Sequence, residues 1–216
     1  VNVVYDAYSP NRTYQHYHAG IRLLSEAASV RIATPIELHR TQLSSDRGEK
    51  PTEKSWNHPM PWKAGPWRLR DIVDYDFSAV MACLNNAARN RDTWIRNFYK
   101  VGRAALTSNR GPFAYLIPEQ QRDAHATAEL LGIMEMGLVE IHEAIQAIQA
   151  DGMTYSPGTR VILTSQPYGA FAKTLLEPQA YPDLRGGSDG APRTPYDVTA
   201  HCLPIKMGVD VYEAKA

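Results

Sequence analysis

Between Arg68 and Leu106, apolar side chains recur at Leu69, Ile72, Val73, Phe77, Val80, Met81, Leu84, Ala87, Ala88, Trp94, Ile95, Phe98 and Val101. Steps of three and four residues place them on one stripe of a helix, with polar side chains on the other face. No other stretch constrains the fold as strongly, because a helix patterned in this way has to lay its stripe against something. An unbroken helix over the span would be about 58 Å long at 1.5 Å per residue, longer than a compact domain needs. Asn85-Asn86 and Asn90 supply a natural break. The spacing therefore predicts two helices, or one bent helix, over 68–108, connecting two halves of the chain.

The half before this connector reads as strand, loop, strand, strand over the first forty residues. "NVVYDAY" leans toward β, Pro10-Asn11 marks a turn, "GIRLLSEAAS" carries an apolar run, and "RIATPIELHR" is a second extended piece limited by Pro35. A segment rich in Pro, Gly, Ser and charge follows, so that 44–67 forms a loop holding Trp56, Trp62 and Trp67 around His58-Pro59-Met60-Pro61. A loop of this length is a lid, an ordered wrap or a linker. Three tryptophans argue against a free linker, which would leave large apolar surface in water.

After the connector, strand and helix signals alternate. "FAYLIP" reads as a buried strand, and "RDAHATAELLGIMEMG" as an amphipathic helix capped by Gly137. "LVEIHEA" alternates like a strand, and Asp151-Gly152 and Pro157-Gly158 mark turns before a further strand in "RVILT". "PYGAFAKTLLEP" is a helix opened by Pro167, "DLRGGSDGAPRTP" a loop, "YDVTAHCLPIKMG" a helix interrupted by Pro204, and "VDVYEA" a closing strand. The expected class is α/β, with 112–216 forming a small α/β layer domain.

Composition removes several functions. Of 216 residues, 44% are hydrophobic, enough for a real core, and Lys+Arg and Asp+Glu are equal at 23 each. No basic stripe points to nucleic acid, and no apolar run is long enough to span a membrane. The chain opens at Val1 without methionine, which reads as a processed product or a piece of a longer protein. Cys83 and Cys202 form neither a disulfide framework nor a zinc-finger spacing. They read as two buried thiols, with a single bridge left open.

The candidate chemistry is sparse. His16 and His18 alternate as two ligands on one strand face could, but without further ligands they read as surface or structural histidines. Asn11-Arg12-Thr13 matches the N-glycosylation triplet, and Gly186-Gly187 lacks the strand–turn–helix frame of a phosphate loop. His125, Glu129 and Met134 fall on a predicted helix and read as solvated face and core, while Glu140 and His142 read as solvent-facing. Glu26 raises a sharper question. It directly follows an apolar run, and burying an ionised carboxylate without a partner is expensive. It sits at a strand end, is paired, or does work there.

"YQHYHAGIRLLSEAAS" resembles the late catalytic strand of the zinc carboxypeptidases, the carboxypeptidase A-like metallopeptidases, through Gly20, Ile21, Leu24, Glu26 and Ser29. "TPIELHRTQL", "WRLRDIVDYDFSAV", "ARNRDTWIRNFYKVGR", "QPYGAFAKTLLEPQAYPDLR" and "PYDVTAHCLPIKMGVDV" resemble the region after the peptidase domain in a bacterial subgroup, so the likeness covers most of the chain. It implies that 1–43 is the carboxy-terminal segment of a mixed-sheet peptidase fold and 112–216 an accessory domain. Glu26 is then the general base, and Tyr14 and Tyr17 compete for the role of the substrate-pocket tyrosine. Zn2+ would be held in the intact protein by ligands outside this chain, since the family's His-x-x-Glu pair is absent here. The substrate would be a peptide or protein, the site of action secreted or periplasmic, and the chain alone inactive. The competing reading is a non-catalytic binding or scaffolding module of a larger exported protein, using Trp56 to Trp67 as its surface.

Overall fold

The computed structural model describes residues 10–23, 25, 27, 33–44, 50–56, 58–108, 111–178, 185, 189–191 and 202–215. These combine helix and sheet, and by their contacts they divide into two units. One holds 23–94, the other 10–22 with 95–215.

In the first unit, strands β1 (Ile36–Leu38) and β2 (Gly65–Trp67) pair antiparallel, Ile36 opposite Trp67 and Leu38 opposite Gly65. The segment expected as loop over 44–67 thus ends in a strand. Its tryptophans have different surroundings. Trp67 is buried and meets Trp62 edge to face, with ring centroids 5.0 Å apart, whereas Trp56 is 93% exposed. Helix α2 (Leu69–Arg89) begins where Arg68 leaves extended geometry. Asp71 accepts a 2.8 Å bond from the Arg68 amide, placing negative charge in the first turn, where the helix dipole favours it. The expected break falls at Asn90, after which α3 (Arg91–Leu106) follows at once. The joint is tight: the Asn90 amide donates to the Asn86 carbonyl, and the Trp94 amide to the Asn90 carbonyl. The division between the two units falls within α3.

The second unit is built on one antiparallel sheet. Its strands are β3 (Ala114–Ile117), β4 (His142–Glu143), β7 (Arg160–Leu163) and β8 (Tyr212–Ala214), in the spatial order β4-β7-β3-β8. Every neighbouring pair is antiparallel, so β3 and β4 run parallel with β7 between them. By the same geometry β7 and β8 run parallel with β3 between them. Helix α4 (Ala124–Met136) joins the first of these parallel pairs. Helices α5 (Gly169–Leu176) and α6 (Leu203–Met207) lie on the connection between the second. The result is two interlocked split β-α-β units, a ferredoxin-like strand order. Between β4 and β7 the chain inserts a hairpin of β5 (Ile148–Ala150) and β6 (Met153–Tyr155).

The period-two alternation of β3 distributes its side chains. Tyr115 and Ile117, with Ile162 of β7, face Leu130 and Met134 of α4 and Phe171, Ala172 and Leu175 of α5. Ala114 and Leu116, with Ala214 of β8, face Tyr155 of the hairpin. All four residues of β3 are buried. Pro204 lies in the first turn of α6, whose N-cap is Cys202, in keeping with proline's tolerance there; the part of the expected helix before Cys202 lies outside the described residues. One expectation needs correcting here. The alternating run around Ile141 pairs only through His142 and Glu143.

The amino-terminal part departs further from expectation. Pro10 opens a helix, α1 (Pro10–Tyr17), where a turn was expected. His16 is therefore helical and His18 lies in the turn after it, so the two do not share a strand face. The described residues of "GIRLLSEAAS" (20–23, 25 and 27) form neither helix nor strand. "NVVYDAY", Glu26 and Gly186-Gly187 lie outside the described residues. Cys83 is exposed and Cys202 half-buried, both as free thiols, so neither is the buried cysteine expected.

Two glycines test this packing from opposite sides. A Cβ on Gly169 would overlap the Thr164 carbonyl, whereas one on Gly132, inside α4, meets nothing within 4 Å. Gly169→Ala is expected to destabilise the unit by about 1–3 kcal/mol, as overpacking does. Gly132→Ala is expected to stabilise it by about 0.4–1 kcal/mol, through lost freedom in the unfolded chain. Urea unfolding of both variants checks the pair.

Candidate functional site

Three places in the molecule gather chemistry-bearing side chains, each within one unit. The first surrounds the expected substrate-pocket tyrosines. Helix α1 packs on α5, and the turn after α1 carries His18 inward. The His18 ring stacks between Tyr14 and Tyr168, with centroids at 4.2 and 4.5 Å, and meets Phe171 at 5.0 Å. Its Nε2 donates to the Gly137 carbonyl at 2.8 Å, and its Nδ1 lies 3.1 Å from the Tyr14 carbonyl. Tyr14 also meets Phe171 edge-on at 5.3 Å, while Tyr17 packs against the core formed by α4 and α5. Both tyrosines are thus engaged with the ferredoxin-like unit, and Glu26, the candidate base, lies outside the described residues.

The second place is a cavity of about 460 Å3 between α5, α6 and β8, lined by Tyr115, Cys202, Pro204, Val209, Tyr212 and Glu213 among others. Tyr115 is fully buried, and its hydroxyl has no hydrogen-bond partner among the described residues. Burial pushes its ionisation well above the ordinary tyrosine value, and the charges of Glu177 and Glu213 push it further. A reading of the sequence missed this group. The only available signal is a tyrosine placed between apolar neighbours in "AYLI".

The third place is an apolar pocket of about 420 Å3 in the first unit, lined by Leu38, Leu43, His58, Pro59, Met60, Trp62, Trp67 and Tyr75. The Trp62 indole nitrogen is buried and lacks an acceptor among the described residues. Two of the three tryptophans singled out in the sequence therefore build a concave apolar surface, the kind that binds apolar groups.

The remaining candidates take ordinary positions. His125 and Glu129 are exposed on α4 and Met134 is buried beneath it. Asp123 caps α4, accepting from the His125 and Ala126 amides at 2.9 and 3.0 Å, and these bonds hold its carboxyl below the usual range. Glu140 and His142 are exposed, and Asn11-Arg12-Thr13 lies within α1. Among the described residues, no three His, Cys, Asp or Glu side chains are grouped so as to hold a metal ion. No described helix is long and apolar enough to cross a membrane.

Compared with known proteins, the chain matches no family model, no curated protein and no solved structure.

Two measurements probe these sites. His18→Ala removes both the stack and the bond to Gly137, whereas His18→Phe keeps the stack and removes only the bond. The phenylalanine variant is expected to lose about 1 kcal/mol of stability, the net worth of one hydrogen bond, and the alanine variant clearly more. Denaturant unfolding gives both values. For Tyr115 the folded state raises the pKa of an acid, so above the ordinary value of 10.0 the unfolded chain holds fewer protons. Stability is then full below about pH 10 and falls as pH rises beyond it, with a limiting slope of about 1.4 kcal/mol per pH unit. Tyr115→Phe should lose that alkaline component, and should cost little at neutral pH because the hydroxyl has no protein partner.

Proposed function

We propose that the chain is the carboxy-terminal part of a zinc-dependent metallocarboxypeptidase-like protein that hydrolyses carboxy-terminal peptide bonds. The observation that carries this reading is the spacing of Gly20, Ile21, Leu24, Glu26 and Ser29, together with the similar stretches that run through the rest of the chain. In this reading residues 1–43 close the peptidase domain, 68–108 connect, and 112–216 form an accessory domain. Glu26 is the general base. Such a base takes a proton from the attacking water and returns it to the leaving amine, which requires a carboxylate held at hydrogen-bond distance from the reacting atoms in a water-poor cleft. Tyr14 and Tyr17 are the candidates for contact with the substrate. Zinc would supply the activated water when bound. Its ligands would lie in sequence outside this chain, which lacks the family's His-x-x-Glu pair. The class of enzyme implies a peptide or protein substrate and a secreted or periplasmic setting.

A second reading has its own support. The apolar pocket around Trp62 and Trp67, with an indole N–H lacking an acceptor, fits a non-catalytic binding or scaffolding module of a larger exported protein.

The two readings separate in a longer protein that contains this chain. Under the first, Glu26→Gln keeps its zinc and releases carboxy-terminal residues about 10²–10⁴-fold more slowly, the usual worth of a general base. A wild type without zinc, or a glutamine variant as active as wild type, would sink the peptidase reading and leave the binding module.

A further inference from the structure

The cavity between α5, α6 and β8 brings a buried hydroxyl and a carboxylate to one wall. Tyr115 and Glu213 stand directly opposite each other across the β3–β8 ladder. Their side chains therefore leave the sheet on the same face, the one against which α4 and α5 pack. Both residues line the cavity. Tyr115 is fully buried, and its hydroxyl has no hydrogen-bond partner among the described residues. Glu213 is exposed on the outer strand and forms no ion pair among the described residues. We propose that this cavity binds a small apolar primary amine, with its ammonium group held between the Glu213 carboxylate and the Tyr115 hydroxyl.

The chemistry of the wall selects the charge. An ammonium group brings three donors and no acceptor, whereas an ionised carboxylate only accepts. Burial and the charges of Glu177 and Glu213 keep the Tyr115 proton in place, so the phenol oxygen stays a neutral acceptor. The same two charges would repel a carboxylate or phosphate brought to that hydroxyl. Arg122 is the one cation among the lining residues, against Asp210 and Glu213. Its guanidinium lies by Gly208, where an added Cβ would come within 3.3 Å of a terminal nitrogen, and its charge also acts on the neighbouring Asp123. The Cys202 thiol already donates to the Leu176 carbonyl at 3.7 Å.

The rest of the wall selects an apolar body. Leu176, Pro204 and Val209 line the cavity beside the two polar groups. Its volume of about 460 Å3 falls within the roughly 300–1,000 Å3 of small-molecule sites. An ion pair left in water is worth little. An amine whose body fills the cavity displaces water from beside Glu213, and its hydrogen bonds there are charge-assisted.

Titration of the isotope-labelled full chain with 2-phenylethylamine, followed by amide chemical shifts, tests the proposal. Wild type should saturate with a Kd of about 1 mM or below, within reach of so small a ligand. The shifts should centre on Gly208 to Ala214. 3-Phenylpropionate, with a carboxylate in place of the ammonium, should bind about tenfold more weakly or less. Glu213→Gln keeps the side chain's size and removes its charge. It should weaken the amine about tenfold or more, the worth of a hydrogen bond to a charged group. Tyr115→Phe should weaken it about fivefold, with unchanged circular dichroism. Glu129→Gln removes an equal charge from α4, outside the cavity, and should leave the amine's affinity unchanged. An amine that fails to saturate wild type by about 10 mM, or a carboxylate bound as tightly as the amine, overturns the proposal. So does an affinity indifferent to Glu213→Gln, or one that Glu129→Gln lowers equally.

Discussion

The second unit depends on strand β3 being buried on both faces. Ala114, Tyr115, Leu116 and Ile117 leave almost no surface to water, and each partner element covers one side of them. Helices α4 and α5 take the Tyr115/Ile117 side and the inserted hairpin takes the Ala114/Leu116 side. Because successive side chains of a strand point to opposite faces, a slip of one residue in its pairing would exchange the two sets. The register with β7 and β8 thus decides which side chains the helices meet. A central strand flanked on both edges by antiparallel partners has no unpaired backbone of its own, so the outer strands of the described four-stranded sheet are the short β4 and β8.

Helix α1 attaches to this unit by a different kind of contact. The His18 ring is held on both faces by tyrosines and bonded at its edge to the Gly137 carbonyl at the end of α4. A side chain fixed on three sides cannot rotate away without losing all of these contacts together. The Gly137 position itself permits this approach, since a Cβ there would overlap the Phe171 ring. The segment from Tyr14 to His18 is therefore anchored on the second unit by Tyr168, Phe171 and the Gly137 carbonyl.

The sequence disclosed those elements whose signals are local. The stripe from Leu69 to Val101 announced two helices and Asn90 their joint. Asp151-Gly152, both with positive φ, is the two-residue turn that the right-handed twist of a hairpin favours, and it was legible as such. Pro10 misled because proline opens helices as readily as it makes turns, and nothing local separates the two. Strand order was illegible, because β8 pairs with β3 from nearly a hundred positions away. The His18 clasp was illegible for the same reason, its bond to Gly137 spanning 119 positions. Glu26 stood out by its place after an apolar run, and its surroundings lie outside the described residues.

Periodicity reports that a helix has an apolar stripe, and it does not report what meets that stripe. Helices α4 and α5 carry stripes that the sheet of their own unit consumes. Helices α2 and α3 carry stripes of the same period and contribute no buried residue. The difference lies in the sheet: α4 and α5 return along one that presents Tyr115, Ile117 and Ile162 to them. About half of each large side chain in water is a substantial hydrophobic cost.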